Sequence, residues 1–281
     1  MSLTSFLRTS KTARALLDGV LRRPPSLPAL ETVAPPVTTS YGTVGTAVDY
    51  TLRWGLERHY TRQGVPVHTF PWIARLALPL LQPAARPLAD SILHEARVVH
   101  GAYMSGEIAH VNARVAAAAL GLTTLDFVYR TGSEDPLLRF NPRPGNAADV
   151  VHVMRHFDPR LLQARRLVAL NPHFGVASDH FGGADADFLL DGTLFELKTT
   201  IKPAFTREHL RQLVGYVLTL HLNGGRLGNG EVASVDAVGI YFARQAYLVT
   251  VPLADLMDVA ALPELARAFA DVARAESARA A

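Results

Sequence analysis

Asp185-Ala-Asp-Phe-Leu-Leu-Asp-Gly-Thr-Leu-Phe-Glu-Leu-Lys-Thr199 is the stretch of sequence on which the prediction of this fold depends. Residues alternate in character on both sides of Asp191-Gly192, which predicts two short strands joined by a tight turn. Glycine accepts the positive φ that such turns require, so Asp-Gly is a typical turn signal. The apolar residues of the two strands would face a core, and they are Phe188, Leu190, Leu194 and Leu197.

The same segment carries an unusual concentration of charge. Alternation places Asp185 and Asp187 on one face of the first strand, and Glu196 and Lys198 on one face of the second. Carboxylates on the inner part of a hairpin are costly to bury unless they are paired or bound to a metal. The hairpin is therefore the first candidate for a functional site, although a surface ribbon with solvated charges would give the same pattern.

Length and composition indicate an ordinary globular protein. The 281 residues can bury a sizeable core, and we predict a single domain over 1–281. The chain has no cysteine, which excludes disulfides, cysteine-bound zinc and thiol nucleophiles. No apolar run approaches the ~20 residues that span a bilayer, and the N-terminus lacks the pattern of a signal peptide. These features predict a cytoplasmic protein with no membrane partner.

The charge balance permits a polyanionic partner but does not demand one. The formal net charge is +3 and the pI is near 9.3. Only Lys11, Lys198 and Lys202 among the 28 basic residues are lysines. Lysine is a compact charge whose pKa can be tuned, whereas arginine stays protonated, so Lys198 differs from the usual cation of this chain.

A helix predicted from about Val44 precedes the hairpin and carries an acid. Gly45, Asp49, Leu52 and Leu56 share one of its faces at helical spacing. An acid on a largely apolar face needs a partner, and Arg53 at i+4 is the simplest one. Alternatively, Asp49 points at a metal site.

A second helix is predicted directly after the hairpin. Thr206 can cap a helix that runs to about Leu222, and Gln212 and Tyr216 lie on the same face of it. Two further strands are predicted beyond this helix, at Val235–Phe242 and Tyr247–Val251.

Other parts of the chain are predicted from their periodicity and breakers. They comprise an N-terminal helix and proline-rich arm over 1–40, broken helices or loop over 63–85, a helix from Pro87 to about Leu120, a strand at Thr124–Arg130, a loop at 131–148, a helix from Val150 that becomes strand-like near Leu170, and a C-terminal helix and tail over 252–281.

The order of these motifs resembles the PD-(D/E)XK nuclease superfamily, in particular its RecB-like and Cas4-like branch. Asp187 is followed by Glu196-Leu-Lys198, and Gln212-Leu-Val-Gly-Tyr216 is similar to the Gln-x-x-x-Tyr signature of that branch. Gly45-Thr-Ala-Val-Asp49 lies where those nucleases place a helical motif, although His or Glu is more usual than Asp there. The resemblance covers about residues 41–60 and 165–250.

The resemblance implies an α/β fold with a restriction-endonuclease-like core, in which a central mixed β-sheet is flanked by helices. Residues 63–165 have no counterpart in the minimal fold and are predicted to be a mostly helical insertion.

The resemblance also implies a metal site that holds Mg²⁺ or Mn²⁺. Its ligands would be Asp187, Glu196, the carbonyl of Leu197 and Asp49, because these cations prefer oxygen donors. Asp185 is the rival of Asp187 for the ligand role.

The remaining site residues would act on water and substrate. Lys198 would orient or help to deprotonate the attacking water, and Gln212 and Tyr216 would position the substrate backbone or the lysine.

The predicted function is a metal-dependent nuclease that hydrolyses phosphodiester bonds of nucleic acid, more specifically DNA. The alternative is a retired nuclease-fold module that binds nucleic acid or a partner protein. A purely structural α/β protein would leave the paired acids, Gln212 and Tyr216 without an explanation.

Overall fold

The protein is a mixed α/β structure in which a six-stranded mixed sheet is flanked by helices. A computed structural model describes residues 2–140 and 143–280. In that part of the chain the strands are β1 Val67–Thr69, β2 Val168–Leu170, β3 Phe188–Leu190, β4 Thr193–Lys198, β5 Ala237–Phe242 and β6 Tyr247–Pro252. The α-helices are α1 Leu3–Thr9, α2 Lys11–Val20, α3 Tyr41–Gln63, α4 Arg86–Ser105, α5 Ala113–Thr131, α6 Asp135–Leu138, α7 Pro144–Arg155, α8 Arg207–Leu222, α9 Leu253–Leu256 and α10 Leu262–Ala280.

The strands lie in the sheet in the order in which they occur in the chain. The pairs β1–β2 and β4–β5 are parallel, and the other neighbours are antiparallel. Helix α3 precedes β1, the helices α4 to α7 lie between β1 and β2, and α8 lies between β4 and β5. Parallel neighbours need such crossover connections, which explains where the long helices occur.

The sheet separates two apolar cores because its side chains alternate between its faces. One core packs α3, α4, α5 and α7 against Phe188, Leu190, Phe195 and Leu197. The other packs α1, α8 and α10 against Leu189, Leu194, Val238 and Ile240. The result is three layers, with helices on both faces of the sheet.

The predicted hairpin forms, but its turn and its first strand differ from expectation. Asp191, rather than Gly192, has the positive φ, at 52°. A Cβ on Gly192 would lie 2.3 Å from Asp236 Oδ1, so glycine is required there by close packing. Strand β3 begins only at Phe188, and Asp185 forms an isolated bridge to His173. Asp185 and Asp187 therefore precede the strand.

The helix and strands after the hairpin agree with the sequence. Thr206 caps α8, and its hydroxyl accepts a hydrogen bond from the backbone N–H of His209 at 3.2 Å. Strands β5 and β6 pair as an antiparallel hairpin.

The predicted strand at Thr124–Arg130 is wrong, because these residues belong to α5. The predicted helix end near Leu120 is also wrong, because the next residue, Gly121, lies inside α5, where a Cβ would approach Ile92 Cγ2 to 3.0 Å. Glycine here permits α4 and α5 to pack closely. The helix breaks earlier instead, at Gly106, whose φ of 95° ends α4.

Three further segments differ from the prediction in detail. Residues 63–85 contain β1, which pairs with β2, as well as an irregular helix at Ile73–Leu80. The predicted N-terminal helix is two helices, because Ser10 caps α2. The predicted loop at 131–148 contains α6 and the start of α7, while residues 141–142 lie outside the described part of the chain.

A buried ion pair connects the sheet to the helices. Arg244 follows β5 and donates two hydrogen bonds of 2.9 Å to the carboxylate of Asp149 in α7. The side chains are 1% and 0% exposed. Arg244 also donates to the carbonyl of Thr199 after β4 and to that of Ala34 in the N-terminal arm, each at 2.9 Å. One guanidinium thus joins four separate segments.

Removal of one partner from this pair leaves the other charge buried and unpaired. We expect Asp149→Ala to lower the free energy of unfolding by about 3–5 kcal/mol. The double variant Asp149→Leu/Arg244→Met should lose less free energy of unfolding than Asp149→Leu and Arg244→Met lose in sum, because it leaves no uncompensated charge. Urea denaturation measures both losses. Arg160→Ala, which removes an exposed partner of Asp158, serves as the control and should change stability little.

Candidate active site

The acids and the lysine of the hairpin meet at the end of β4. Asp187 Oδ2 accepts a hydrogen bond from the backbone N–H of Leu197 at 2.6 Å. Lys198 Nζ donates to Glu196 Oε1 at 2.8 Å. Antiparallel pairing of β3 with β4 produces this arrangement, since it sets Phe188 opposite Phe195 and so brings the preceding acid beside Glu196.

Two buried carboxylate oxygens at this site lack a hydrogen-bond partner among the described residues. They are Asp49 Oδ1 and Glu196 Oε2. The second oxygen of each carboxylate is paired, Asp49 Oδ2 with Arg53 and Glu196 Oε1 with Lys198. Buried polar atoms are nearly always satisfied, so two unsatisfied acceptors are an unusual feature.

Asp49 lies near enough to raise the pKa of Asp187, because α3 packs closely against the end of β4. A Cβ on Gly45 would lie 2.7 Å from Thr199 Oγ1. Glycine therefore allows the helix to approach the strand one turn before Asp49. The simple expectation of an i+4 pair with Arg53 is confirmed, and the same carboxylate retains one oxygen without a partner.

Helix α8 contributes Gln212 and Tyr216 to the same region. Gln212 Nε2 donates to the Tyr216 hydroxyl at 3.1 Å, and both side chains are buried. Burial, together with the carboxylates of Glu196 and Asp185, raises the pKa of Tyr216 well above its usual value. The phenol is thus a neutral hydrogen-bonding group beside the acids.

The acids change one another's proton affinity. Burial raises the pKa of Asp187 well above its usual range, and the neighbouring Glu196 and Asp49 raise it further. Burial also raises the pKa of Asp49, against the opposing effect of Arg53. Burial and the mutual repulsion of the carboxylates thus both favour the protonated forms of Asp49 and Asp187 in this structure.

The environment of Lys198 favours its charged form, whereas that of the acids favours their neutral forms. Burial alone would lower its pKa, but the adjacent Glu196 and the nearby Asp187 outweigh this effect, so the pKa lies above the usual lysine value. The ammonium form is accordingly favoured in this environment.

A cavity of about 130 Å³ opens beside the acids of the hairpin, but neither Lys198 nor Asp49 lines it. Asp185, Asp187, Glu196, Gln212 and Tyr216 all line it, as expected. The unexpected lining residues are Ser2, Leu3, Thr4 and Arg130. Arg130 was missed because its segment was predicted to be a strand. It lies in the last turn of α5, where a cation is favoured by the helix dipole, and its guanidinium is 3.7 Å from Asp126.

The donor set fits a hard divalent cation in chemistry. The described residues contain no group of three His, Cys, Asp or Glu side chains already arranged around a metal position. The available donors are carboxylate oxygens, however, and two of them are buried without a partner. Mg²⁺ and Mn²⁺ prefer such oxygens and retain several waters, so they need few protein ligands.

Comparisons with known proteins assign no family to this chain. Models of protein families, curated proteins and solved structures give no match. Its fold and its site geometry are therefore the basis for any functional assignment. Across the described residues, no helix combines the length and apolar character needed to cross a membrane.

The contact between Gly45 and Thr199 gives a test of how Asp49 is positioned. We expect Gly45→Ala to lower the free energy of unfolding by ~1–3 kcal/mol, because the added Cβ meets Thr199 Oγ1. The double variant Gly45→Ala/Thr199→Ala removes the clash and retains the better helix former, so its stability should equal or exceed that of the wild type. Thermal and urea denaturation of both variants measure this. Equal losses of stability in the single and the double variant would contradict the close contact between Gly45 and Thr199.

A buried acid behind the site gives a prediction of pH dependence. Asp126 in α5 lies 3.4 Å from the Tyr50 hydroxyl and 3.7 Å from Arg130. Burial raises its pKa from 3.8 to about 6, against the lowering effect of Arg130 and Arg53. The folded state thus binds this proton more tightly than the unfolded state does, and the contribution is lost as pH rises from about 4 to 6.

We expect Asp126→Asn to remove this fall in stability. A difference of about two pKa units corresponds to roughly 3 kcal/mol between pH 4 and pH 7. The measurement is the difference in free energy of unfolding between wild type and variant across that range, since other buried acids also titrate. Glu95→Gln, which alters an exposed acid, is the control. If the free energy of unfolding varied with pH in the same way in the wild type and in Asp126→Asn, the raised pKa assigned to Asp126 would be contradicted.

Proposed function

We propose that the chain is a metal-dependent nuclease with a restriction-endonuclease-like core, which hydrolyses phosphodiester bonds of nucleic acid, more specifically DNA. One observation carries the proposal. Asp187, Glu196 and Lys198 meet at one strand end, where a carboxylate oxygen of Glu196 and one of Asp49 are buried without partners. The mixed sheet with helices on both faces is compatible with that core. The proposal keeps the cytoplasmic location predicted from the sequence.

Asp187 and Glu196 would hold Mg²⁺ or Mn²⁺, with Asp49 and the Leu197 carbonyl as further donors. Such a cation supplies Lewis acidity and lowers the pKa of a bound water. Asp187 is preferred to Asp185 because its carboxylate is fixed by the N–H of Leu197 on the strand that carries Glu196. Asp185 lines the same cavity without such an anchor.

Lys198 would orient the attacking water and stabilise negative charge that develops on the phosphate. Its raised pKa supports this role over that of a base, because the ammonium form has no free electron pair. Gln212 donates a hydrogen bond to the Tyr216 hydroxyl, and the two side chains would position Lys198 or a phosphate oxygen. Arg130, at the wall of the cavity, would add a fixed positive charge to the substrate side.

A second candidate, a module that binds nucleic acid or a partner protein without cutting, is favoured by a different observation. Arg53 already pairs with Asp49, and Lys198 already pairs with Glu196. Internal cations of this kind can compensate a set of acids that no longer holds a metal.

Cleavage assays distinguish the two candidates. We expect Mg²⁺- or Mn²⁺-dependent cleavage of DNA, tested on an end-labelled single strand and on a duplex, and its loss in EDTA. Lys198→Ala should reduce the rate at least ~100-fold, because a charge that faces the reacting phosphate is removed. Lys202→Ala is the matched control, since it alters an exposed lysine four residues away and should retain the wild-type rate.

Equal rates in Lys198→Ala and Lys202→Ala would contradict the assigned site. No cleavage by folded wild type with either metal, together with retained binding of DNA, would favour the second candidate. Circular dichroism of each variant establishes that it is folded.

A further inference from the structure

A second pocket lies at the end of β1, on the side of the sheet away from α8. Its volume is about 370 Å³, which is sufficient for a nucleobase and part of its sugar-phosphate. Aromatic and basic side chains predominate in its wall, and the lining residues are Glu57, Thr69, Phe70, Pro71, Trp72, Arg75, Arg97 and His100.

The aromatic part of this pocket is rigid. Trp72 packs against Trp54 and His100 with ring centroids 5.7 Å apart in both pairs. Tyr50 meets Trp72 edge-on at 6.5 Å. Trp54 is buried, whereas Trp72 is only partly buried and borders the pocket. An indole that is fixed from behind and accessible in front is suited to stack on a flat ligand.

The rim of the pocket is positively charged. Arg75 and Arg97 are exposed, and neither forms a salt bridge within the described ranges 2–140 and 143–280. The acid of the pocket, Glu57, is occupied by His100 at 2.9 Å. The rim therefore complements an anionic ligand such as a phosphate.

One residue connects this pocket to the acid site. Asn171 donates its backbone N–H to the carbonyl of Asp187 at 2.9 Å and its side-chain amide to the carbonyl of Pro71 at 3.4 Å. Its φ of 56° lies in the left-handed region, which asparagine tolerates better than most residues. Trp72 follows Pro71 directly, so the stacking ring and the acid are held at neighbouring positions along one end of the sheet.

We propose that Trp72, Arg75 and Arg97 bind a single-stranded segment of nucleic acid beside the acid site. A base stacks on Trp72, and the flanking phosphates pair with Arg75 and Arg97. The strand must be single because a base paired in a duplex does not offer its face to an indole. The inference deepens the proposed function and rests on it, since the pocket is assigned to the same nucleic-acid substrate.

Tryptophan fluorescence tests this site directly, because the chain has only two tryptophans and both belong to this cluster. The full chain is titrated with a twelve-nucleotide thymidine oligonucleotide in EDTA, so that no cleavage occurs. We expect saturable quenching of the fluorescence. Trp72→Leu should remove the quenching and weaken binding about tenfold, as loss of one stacked base does.

The arginines are tested with a labelled oligonucleotide and fluorescence anisotropy, which does not depend on tryptophan. Arg75→Glu/Arg97→Glu changes exposed residues, so the variant should fold. We expect binding to weaken at least tenfold, and the slope of log affinity against log salt to fall by roughly 1.4 for two lost phosphate contacts. Arg267→Glu/Arg279→Glu on α10 makes the same change of charge elsewhere and should bind like the wild type.

The outcomes separate this inference from the proposed function. Equal affinity in the two double variants, or an unquenched wild type, would overturn the pocket assignment even if Lys198-dependent cleavage is observed. Quenching and arginine-dependent binding without cleavage would support the pocket and remove the nuclease assignment. A duplex that binds as tightly as the single strand would contradict the stacking role of Trp72.

Discussion

The guanidinium of Arg244 ties the sheet to helix α7 and to the N-terminal arm through buried hydrogen bonds. It satisfies the buried carboxylate of Asp149 in α7 and the carbonyl of Thr199 at the end of β4. Thr199 in turn contacts α3 at Gly45, one turn before Asp49. Because a buried charge must remain paired, this single ion pair constrains where α7, α3 and β4 can lie. The acid of α3 is brought to the acids of the hairpin as a consequence.

The acids themselves impose the second constraint. Burial of Asp49, Asp187 and Glu196 at one strand end is unfavourable without compensation. Arg53 and Lys198 compensate Asp49 and Glu196 through ion pairs, and the N–H of Leu197 compensates Asp187 through a hydrogen bond. Two carboxylate oxygens still lack partners in the described part of the chain. In the proposed nuclease, a divalent cation would supply positive charge to these carboxylates.

The local elements of the hairpin region could be predicted from sequence because their signals are local. The alternation of the strands, the turn dipeptide Asp191-Gly192 and the helix cap Thr206 each involve only a few neighbouring residues. Accordingly, β4, α8, β5 and β6 form as predicted. The strand assigned to Thr124–Arg130 failed because its β-branched and aromatic residues also suit a buried helix, and packing of α5 against α4 decided the outcome. Strand β1 was missed because three residues carry too little pattern.

The sequence by itself determined which residues could form a site, namely Asp187, Glu196, Lys198, Gln212 and Tyr216. Glu196 and Lys198 share a face of β4 and Gln212 and Tyr216 share a face of α8, because backbone periodicity is local. Only the tertiary structure decided what lies around them. It set Asp187 against the N–H of Leu197 and added Arg130 and the N-terminal residues to the cavity. It also linked Asp187 to Pro71, the residue before Trp72, through the hydrogen bonds of Asn171. These contacts join residues far apart in the chain, and they depend on the packing of the helices against both faces of the sheet, which no local pattern encodes.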